Sequence, residues 1–192
     1  MTLGDYDMPL FRPPSEAGSL IFQVTLGCSH NRCSFCSMYR TKRFRPRPVA
    51  ELREEVAQAR AALGPDAVRR VFFADGDAMC LSTRRLTELL DLVNGAFPGL
   101  QRVSAYANAR DVLSKGDDEL AALRERRLRL LYMGLESGDE RTLARIDKGA
   151  TAEQIVEAVQ RAEAVGIRVS TMVLIGLGGR ERFLGLLGQA RQ

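Results

Sequence analysis

The chain has 192 residues, 45% of them hydrophobic and 27% charged with no tryptophan, a composition that excludes disordered, collagen-like and fibrous classes. Folding at this length buries roughly 70% of the unfolded surface, enough for one domain whose core needs no disulfide staples. The net charge of +4, carried almost entirely by arginine, does not favour nucleic acid as a partner over a solvated basic surface.

Met1 to Ser19 holds acidic residues and three prolines and lacks the basic-then-apolar pattern of a secretory signal; no apolar run approaches the ~18 residues needed to cross a bilayer. A cytoplasmic protein without a membrane partner is expected, with residues 1–19 as an N-terminal extension and 20–192 as the domain. Five short apolar runs follow in order: Leu20 to Leu26, Val68 to Ala74, Arg102 to Ala107, Leu128 to Leu135 and Ile167 to Ile175. Runs this short and this apolar predict strands buried on both faces, the habit of parallel sheets.

Helical signals lie between them. Val49, Leu52, Val56, Ala59 and Leu63 repeat at three to four residues behind Pro46 and Pro48, and Gly64-Pro65 stops them. A second helix opens at Ser82 as N-cap, turns Leu86, Leu89, Leu90 and Val93 inward and stops near Gly95 to Pro98. A short charged helix is expected over Asp117 to Arg126. The last opens with Thr151 and Gln154 at capping-box spacing and ends at Val165, with Gly166 suited to a left-handed cap. The result is an α/β chain of about five β/α units with a parallel sheet joined by right-handed crossovers. A complete eight-fold barrel needs about 250 residues, so at most a partial barrel fits. Ligands of such folds gather at the carboxyl ends of the strands.

Directly after the first run, Cys28, Cys33 and Cys36 form a C-x4-C-x2-C array, three of the four cysteines within nine residues. In a cytoplasmic protein this density means metal or redox chemistry rather than disulfides. Three thiolates without a fourth at suitable spacing suit a [4Fe-4S] cluster with one iron left open. The alternative is zinc completed by His30, but only one residue separates His30 from Cys28, a poor chelate spacing. Otherwise His30 is a polar loop residue or a hydrogen-bond partner behind the cluster, and Cys80 a small buried hydrophobe.

With these cysteines, an aromatic residue before the last of them and β/α units behind, the chain over residues 20 to 179 resembles the radical S-adenosylmethionine (SAM) superfamily. The superfamily's common spacing is C-x3-C-x2-C; the first gap here is one residue longer. The resemblance implies a partial β/α barrel and a [4Fe-4S] cluster on Cys28, Cys33 and Cys36, whose fourth iron is chelated by SAM. It implies that Asp75-Gly76-Asp77, similar to a Gly-Gly-Glu element, receives the methionyl ammonium. It further implies that Glu136 and Ser137 reach the ribose hydroxyls, Lys148 stands near the SAM carboxylate, Ile175 lines the adenine, and Phe35 shields the cluster. The activity it implies is reductive cleavage of SAM to a 5′-deoxyadenosyl radical that takes hydrogen from a substrate the sequence does not reveal, with electrons from an external donor of flavodoxin or ferredoxin type. The competing reading is an iron-sulfur protein without turnover, an electron carrier or sensor.

Three stretches stay without an assigned role. Arg40, Lys42, Arg43, Arg45 and Arg47 form a basic run that either meets an anion or is solvated. Asn108 and Arg110 stand at the end of the third run. Beyond Gly179, Phe183, Leu184, Leu186 and Leu187 are interrupted by Gly185 and Gly188, which cost a short helix about 2 kcal/mol relative to alanine. The expectation is a member shortened at its C-terminus, one β/α unit beyond the fifth being absent, with the fifth strand as an open edge.

Overall fold

The computed structural model describes residues 6–179. Among them, seven strands and six α-helices follow in the order β1 (Leu20–Gln23), β2 (Thr25–Leu26), β3 (Arg45–Pro46), α1 (Val49–Leu63), β4 (Arg70–Ala74), α2 (Thr83–Ala96), β5 (Arg102–Ala107), α3 (Ala109–Leu113), α4 (Asp117–Glu125), β6 (Leu128–Glu136), α5 (Glu140–Arg145), α6 (Ala152–Ala164) and β7 (Arg168–Val173). The main sheet is wholly parallel, ordered β1-β4-β5-β6-β7. Its order never reverses, so there is no doubly wound switch point. The helices instead pack on one side of the sheet, as in a barrel opened along one seam.

The two sheet faces differ because the side chains of a strand alternate. On the helix side, Leu20, Phe22, Val71, Phe73, Val103, Ala105, Leu131 and Met133 bury against Leu52, Val56, Leu89, Val93, Leu120 and Ala158. On the concave side, Ile21, Phe72, Ala74 and Tyr132 form a second, smaller cluster that Tyr6 and Leu10 of the N-terminal segment cover. That segment is therefore part of the domain's packing. Glu16, fully buried, anchors it by accepting from Arg102 (2.8 Å), the Tyr132 hydroxyl (2.7 Å) and Ser19.

The expected helix signals appear where the sequence sets them. Gly64 ends α1 at φ +85°, Ser82 accepts from the Arg85 amide to cap α2 (3.4 Å), and Thr151 and Gln154 exchange both capping-box bonds (3.1 and 3.0 Å). Two differences bear on function. The first apolar run does not stay one strand: after Val24 the chain leaves the sheet, and Thr25–Leu26 pair antiparallel with Arg45–Pro46. This closes residues 27–44 into a loop with both ends hydrogen-bonded together. The fifth run gives a strand only to Val173, and Met172, Val173, Leu174 and Ile175 are exposed rather than buried on both faces. The short helices α3 and α5 carry too few residues to show a period. Residues 180–192, including Phe183 to Leu187, lie outside the described residues.

Candidate functional site

The loop 27–44 lies across the carboxyl ends of the strands and is fixed at several points. Gly27, at φ +74°, donates its amide to Asp75 Oδ2 (3.0 Å) and its carbonyl accepts from the Gly76 amide (3.0 Å), so the loop starts welded to the turn after β4. The Ser34 amide donates to Ile146 O (2.8 Å), and His30 Nε2 bonds Asp147 O (2.6 Å). Arg40 caps the loop from within, donating to the carbonyls of Cys33 (2.7 Å), Cys36 (3.1 Å) and Arg32 (3.3 Å). Cys28, Cys33 and Cys36 are half-buried free thiols held on this scaffold, and Phe35 stands exposed between two of them.

His30 is buried and belongs to the scaffold: a Cβ added at Gly149 would meet its Cε1 at 2.6 Å. Among the described residues no three His, Cys, Asp or Glu side chains close on a single ion. Thiolates of a four-iron cluster each bind a different iron, so they stand farther apart than the ligands of one metal. Cys80 is half-buried rather than buried; its thiol donates to Asp77 O (3.0 Å), and burial raises its pKa to about 12.

The two acids after β4 separate in role. Asp75 is fully buried with both oxygens engaged, Oδ1 by Gln23 Nε2 (3.0 Å), Oδ2 by Gly27 N and by Lys42 Nζ (2.8 Å). Lys42 also donates to Asp7 O, tying together the N-terminal segment, the strand ends and the far side of the cysteine loop. Asp77 is equally buried, yet only Oδ2 is satisfied, by Ser29 (2.5 Å) and Asn108 (2.7 Å). Its Oδ1 has no donor among the described residues. Burial first, then the neighbouring acid Asp111, raise the Asp77 pKa to about 8. Arg110 bridges Ser29 Oγ (3.1 Å) and Asp111 (3.2 Å).

At the end of β6 a register shift between Gly134 and Glu136 re-aims the strand, and Glu136 takes φ +62°. Its carboxylate folds back over Gly134, where an added Cβ would meet Oε1 at 1.9 Å, and pairs with Lys148 Nζ at 3.1 Å. Lys148 in turn faces Cys33: burial raises that thiol's pKa while the lysine charge opposes the rise. Glu136, Ser137 and Ile175 share a cleft of about 250 Å³ with Val173 and Leu174, and Ser137 Oγ also accepts from the Asp139 amide (3.1 Å). A larger cleft, about 740 Å³, opens between α1 and α2 and holds none of the strand-end residues.

A profile of the radical SAM superfamily matches residues 22–182. The chain belongs to the radical SAM superfamily. It is 27% identical over 164 residues to an uncharacterised methyltransferase of Pyrococcus horikoshii, covering 84% of this chain and 34% of that protein. It is 23% identical over 159 residues to the heme chaperone HemW of Bacillus subtilis, covering 80% and 41%. Among solved structures, the cobalamin-dependent SAM radical enzyme OxsB with SAM bound superposes with a TM-score of 0.67 at 19% identity, over 88% of this chain and 26% of that one. The chain thus shares the partial barrel of radical SAM enzymes and spans about a third to two fifths of the curated relatives it matches.

Of the basic run, Arg40, Arg43 and Arg45 are exposed, Arg40 with its guanidinium bonded to loop carbonyls; Lys42 is buried in the loop, and Arg47 pairs with Glu51 (3.0 Å) and Glu55 (2.6 Å). Sequence reasoning missed Tyr39, Gln23 and Asp111, for which no spacing signal exists. It also left Lys42 and Arg40 inside an undivided basic run.

Proposed function

We propose that this chain carries a [4Fe-4S] cluster on Cys28, Cys33 and Cys36, and binds SAM across the ends of β4, β6 and β7. The observation that carries the reading is the cysteine loop's attachment to both neighbours. It is bonded to the 75–77 turn on one side and to Ile146 and Asp147 on the other, which supports reading the acids after β4 and the neighbouring Lys148 together with the three thiols. When bound, these groups supply reductive cleavage of SAM to a 5′-deoxyadenosyl radical, fed by an external electron donor of flavodoxin or ferredoxin type.

The side chains fit such a ligand. Asp77 Oδ1 has no hydrogen-bond partner among the described residues, and once the carboxyl gives up its proton it accepts from a primary ammonium. Glu136 offers carboxylate oxygens to a diol at the mouth of the 250 Å³ cleft, and Ile175, 86% exposed, offers apolar surface to a flat ring. Lys148 brings a cation between Glu136 and Cys33, where a ligand carboxylate is balanced. Gly76 lets backbone approach the loop, since a Cβ there would meet Cys28 Cβ at 2.9 Å. Of the two acids that the sequence left open for the ammonium, Asp75 is assigned to holding the loop, because both its oxygens are already occupied.

The test is anaerobic cluster reconstitution, then SAM and dithionite, with 5′-deoxyadenosine and methionine measured against a Cys28→Ala, Cys33→Ala, Cys36→Ala triple variant. Product from the native chain alone is expected. A four-iron cluster with no product would favour an iron-sulfur protein without turnover, and stoichiometric zinc without iron would sink the reading.

A further inference from the structure

Tyr39 lies three residues past the last cysteine and is only 3% exposed, yet its hydroxyl has no hydrogen-bond partner among the described residues. A buried hydroxyl without a partner is costly and calls for an explanation. The ring is held on several sides. Phe11 packs edge-on at 5.5 Å between centroids, Lys42 Nζ stands 5.8 Å from the ring centroid, and the Tyr39 carbonyl accepts from Asn31 Nδ2 at 2.9 Å.

One edge of this ring lies beside the first cysteine. A Cβ built on Gly76 would meet Tyr39 Cε2, the carbon next to the one bearing the hydroxyl, at 2.7 Å, and Cys28 Cβ at 2.9 Å. Ring edge and first cysteine thus approach the same point above Gly76. A tyrosine hydroxyl keeps its proton at neutral pH and donates it in a hydrogen bond to an anionic neighbour. Asp75 is not that acceptor, since Gln23, Gly27 and Lys42 already engage both its oxygens.

We infer that the Tyr39 hydroxyl donates a hydrogen bond to sulfur at the cysteine-bound cluster and so raises the cluster's reduction potential, making Tyr39 a positioning and tuning residue. The inference rests on the cluster proposed above. Reduction adds one electron to the cluster while the proton stays on the phenol oxygen. A donor to sulfur favours the more negative, reduced form, one of the means by which proteins set such potentials.

The experiment is a redox titration followed by electron paramagnetic resonance, on reconstituted native protein and Tyr39→Phe, each without and with SAM. The variant is expected to hold the same iron and sulfide per chain. Its reduced-to-oxidised ratio at a fixed potential should fall about tenfold, a midpoint about 59 mV lower for one electron, already without SAM. Tyr106→Phe, on β5 of the concave face, is expected to leave the midpoint in place. Equal midpoints for native and Tyr39→Phe would overturn the inference, as would a shift that appears only with SAM, which would assign the hydroxyl to that ligand. A native chain that takes up no iron would overturn the cluster proposal itself, a failure visible before any comparison of potentials. Should Tyr39→Phe hold less iron, fluorinated tyrosine at position 39, a stronger donor, is expected to raise the midpoint, and no change would refute the assignment.

Discussion

Replacing Lys42 by Met tests whether the cysteine loop is held by the buried pair beneath it. The side chains of Lys42 and Asp75 are 4% and 0% exposed and stand 2.8 Å apart. Removing the cation leaves the Asp75 carboxylate with only Gln23 Nε2 and the Gly27 amide, and frees Asp7 O of a donor. Breaking a buried pair from one side costs about 3–5 kcal/mol, because the remaining charge is uncompensated. The two surviving bonds to Asp75 place the expectation near the lower end, about 3 kcal/mol. With a urea dependence of ~2 kcal/mol per molar, the unfolding midpoint should fall by about 1.5 M in the apo protein. Asp75→Asn should cost less, because Lys42 keeps the Asp7 carboxylate (3.5 Å) and carbonyl as partners. The double variant, which removes both charges, should recover most of the loss, a coupling of at least about 1 kcal/mol in the cycle. A Lys42→Met loss below about 1 kcal/mol, or a double variant no better than the singles, would refute the argument that this pair fastens the loop.

Three further outcomes follow from the same geometry. Gly76→Ala forces a methyl group against a fixed tyrosine ring and the first cysteine, so iron uptake on reconstitution should drop severalfold; full iron content would count against that close approach. Gly134→Ala meets only the far ends of Glu136 and Lys148, so the fold should survive while the carboxylate is displaced; SAM affinity by calorimetry should weaken by about tenfold, and an unchanged value would remove Glu136 from the binding site. Asp77 carries its proton in the folded apo protein up to about pH 8, whereas an unperturbed aspartate loses it near 3.8. The native state therefore binds more protons than the unfolded chain between those values, and apo stability should fall as pH rises through that window. Asp77→Asn should flatten the slope measured by urea unfolding at several pH values, and an unaltered slope would assign it to another group.

Much of the fold was legible because it depends on local signals. Four of the five strands lie within their apolar runs to within a residue or two, and the caps at Ser82 and Thr151 are the bonds their side chains favour. The split of the first run was not legible, since Thr25 and Leu26 continue the β-prone run of Leu20 to Val24 without a turn residue. What separates them is the pairing with Arg45–Pro46, a contact twenty residues away. Among site residues, the cysteines were readable from spacing alone. Asp75 and Asp77 were not separable, because which acid finds a lysine and which is left with an empty oxygen depends on Lys42, Ser29 and Asn108, all remote in sequence. Tyr39 gave no signal, since a lone aromatic in a polar loop has no period to read.

The packing of the concave face carries a consequence for where chemistry can occur. In a parallel barrel-like sheet the interior is filled by side chains, and ligands gather above it at the strand ends. Here the filling includes Tyr6, Leu10 and the buried Glu16 of the N-terminal segment, seated on Ile21, Phe72 and Tyr132. The same segment supplies Asp7, whose amide donates to Gln23 Oε1 (2.9 Å) and whose carbonyl accepts from Gln23 Nε2 (2.9 Å) and Lys42. One stretch of chain thus closes the bottom of the concave face and braces the loop that carries the cysteines. Residues 6–19 are therefore coupled to the site through two bonded side chains, Gln23 and Lys42. Loosening the segment should disturb the cysteine loop before it disturbs the helix-side core, because its described apolar side chains pack on the concave cluster and not on the helix-side one.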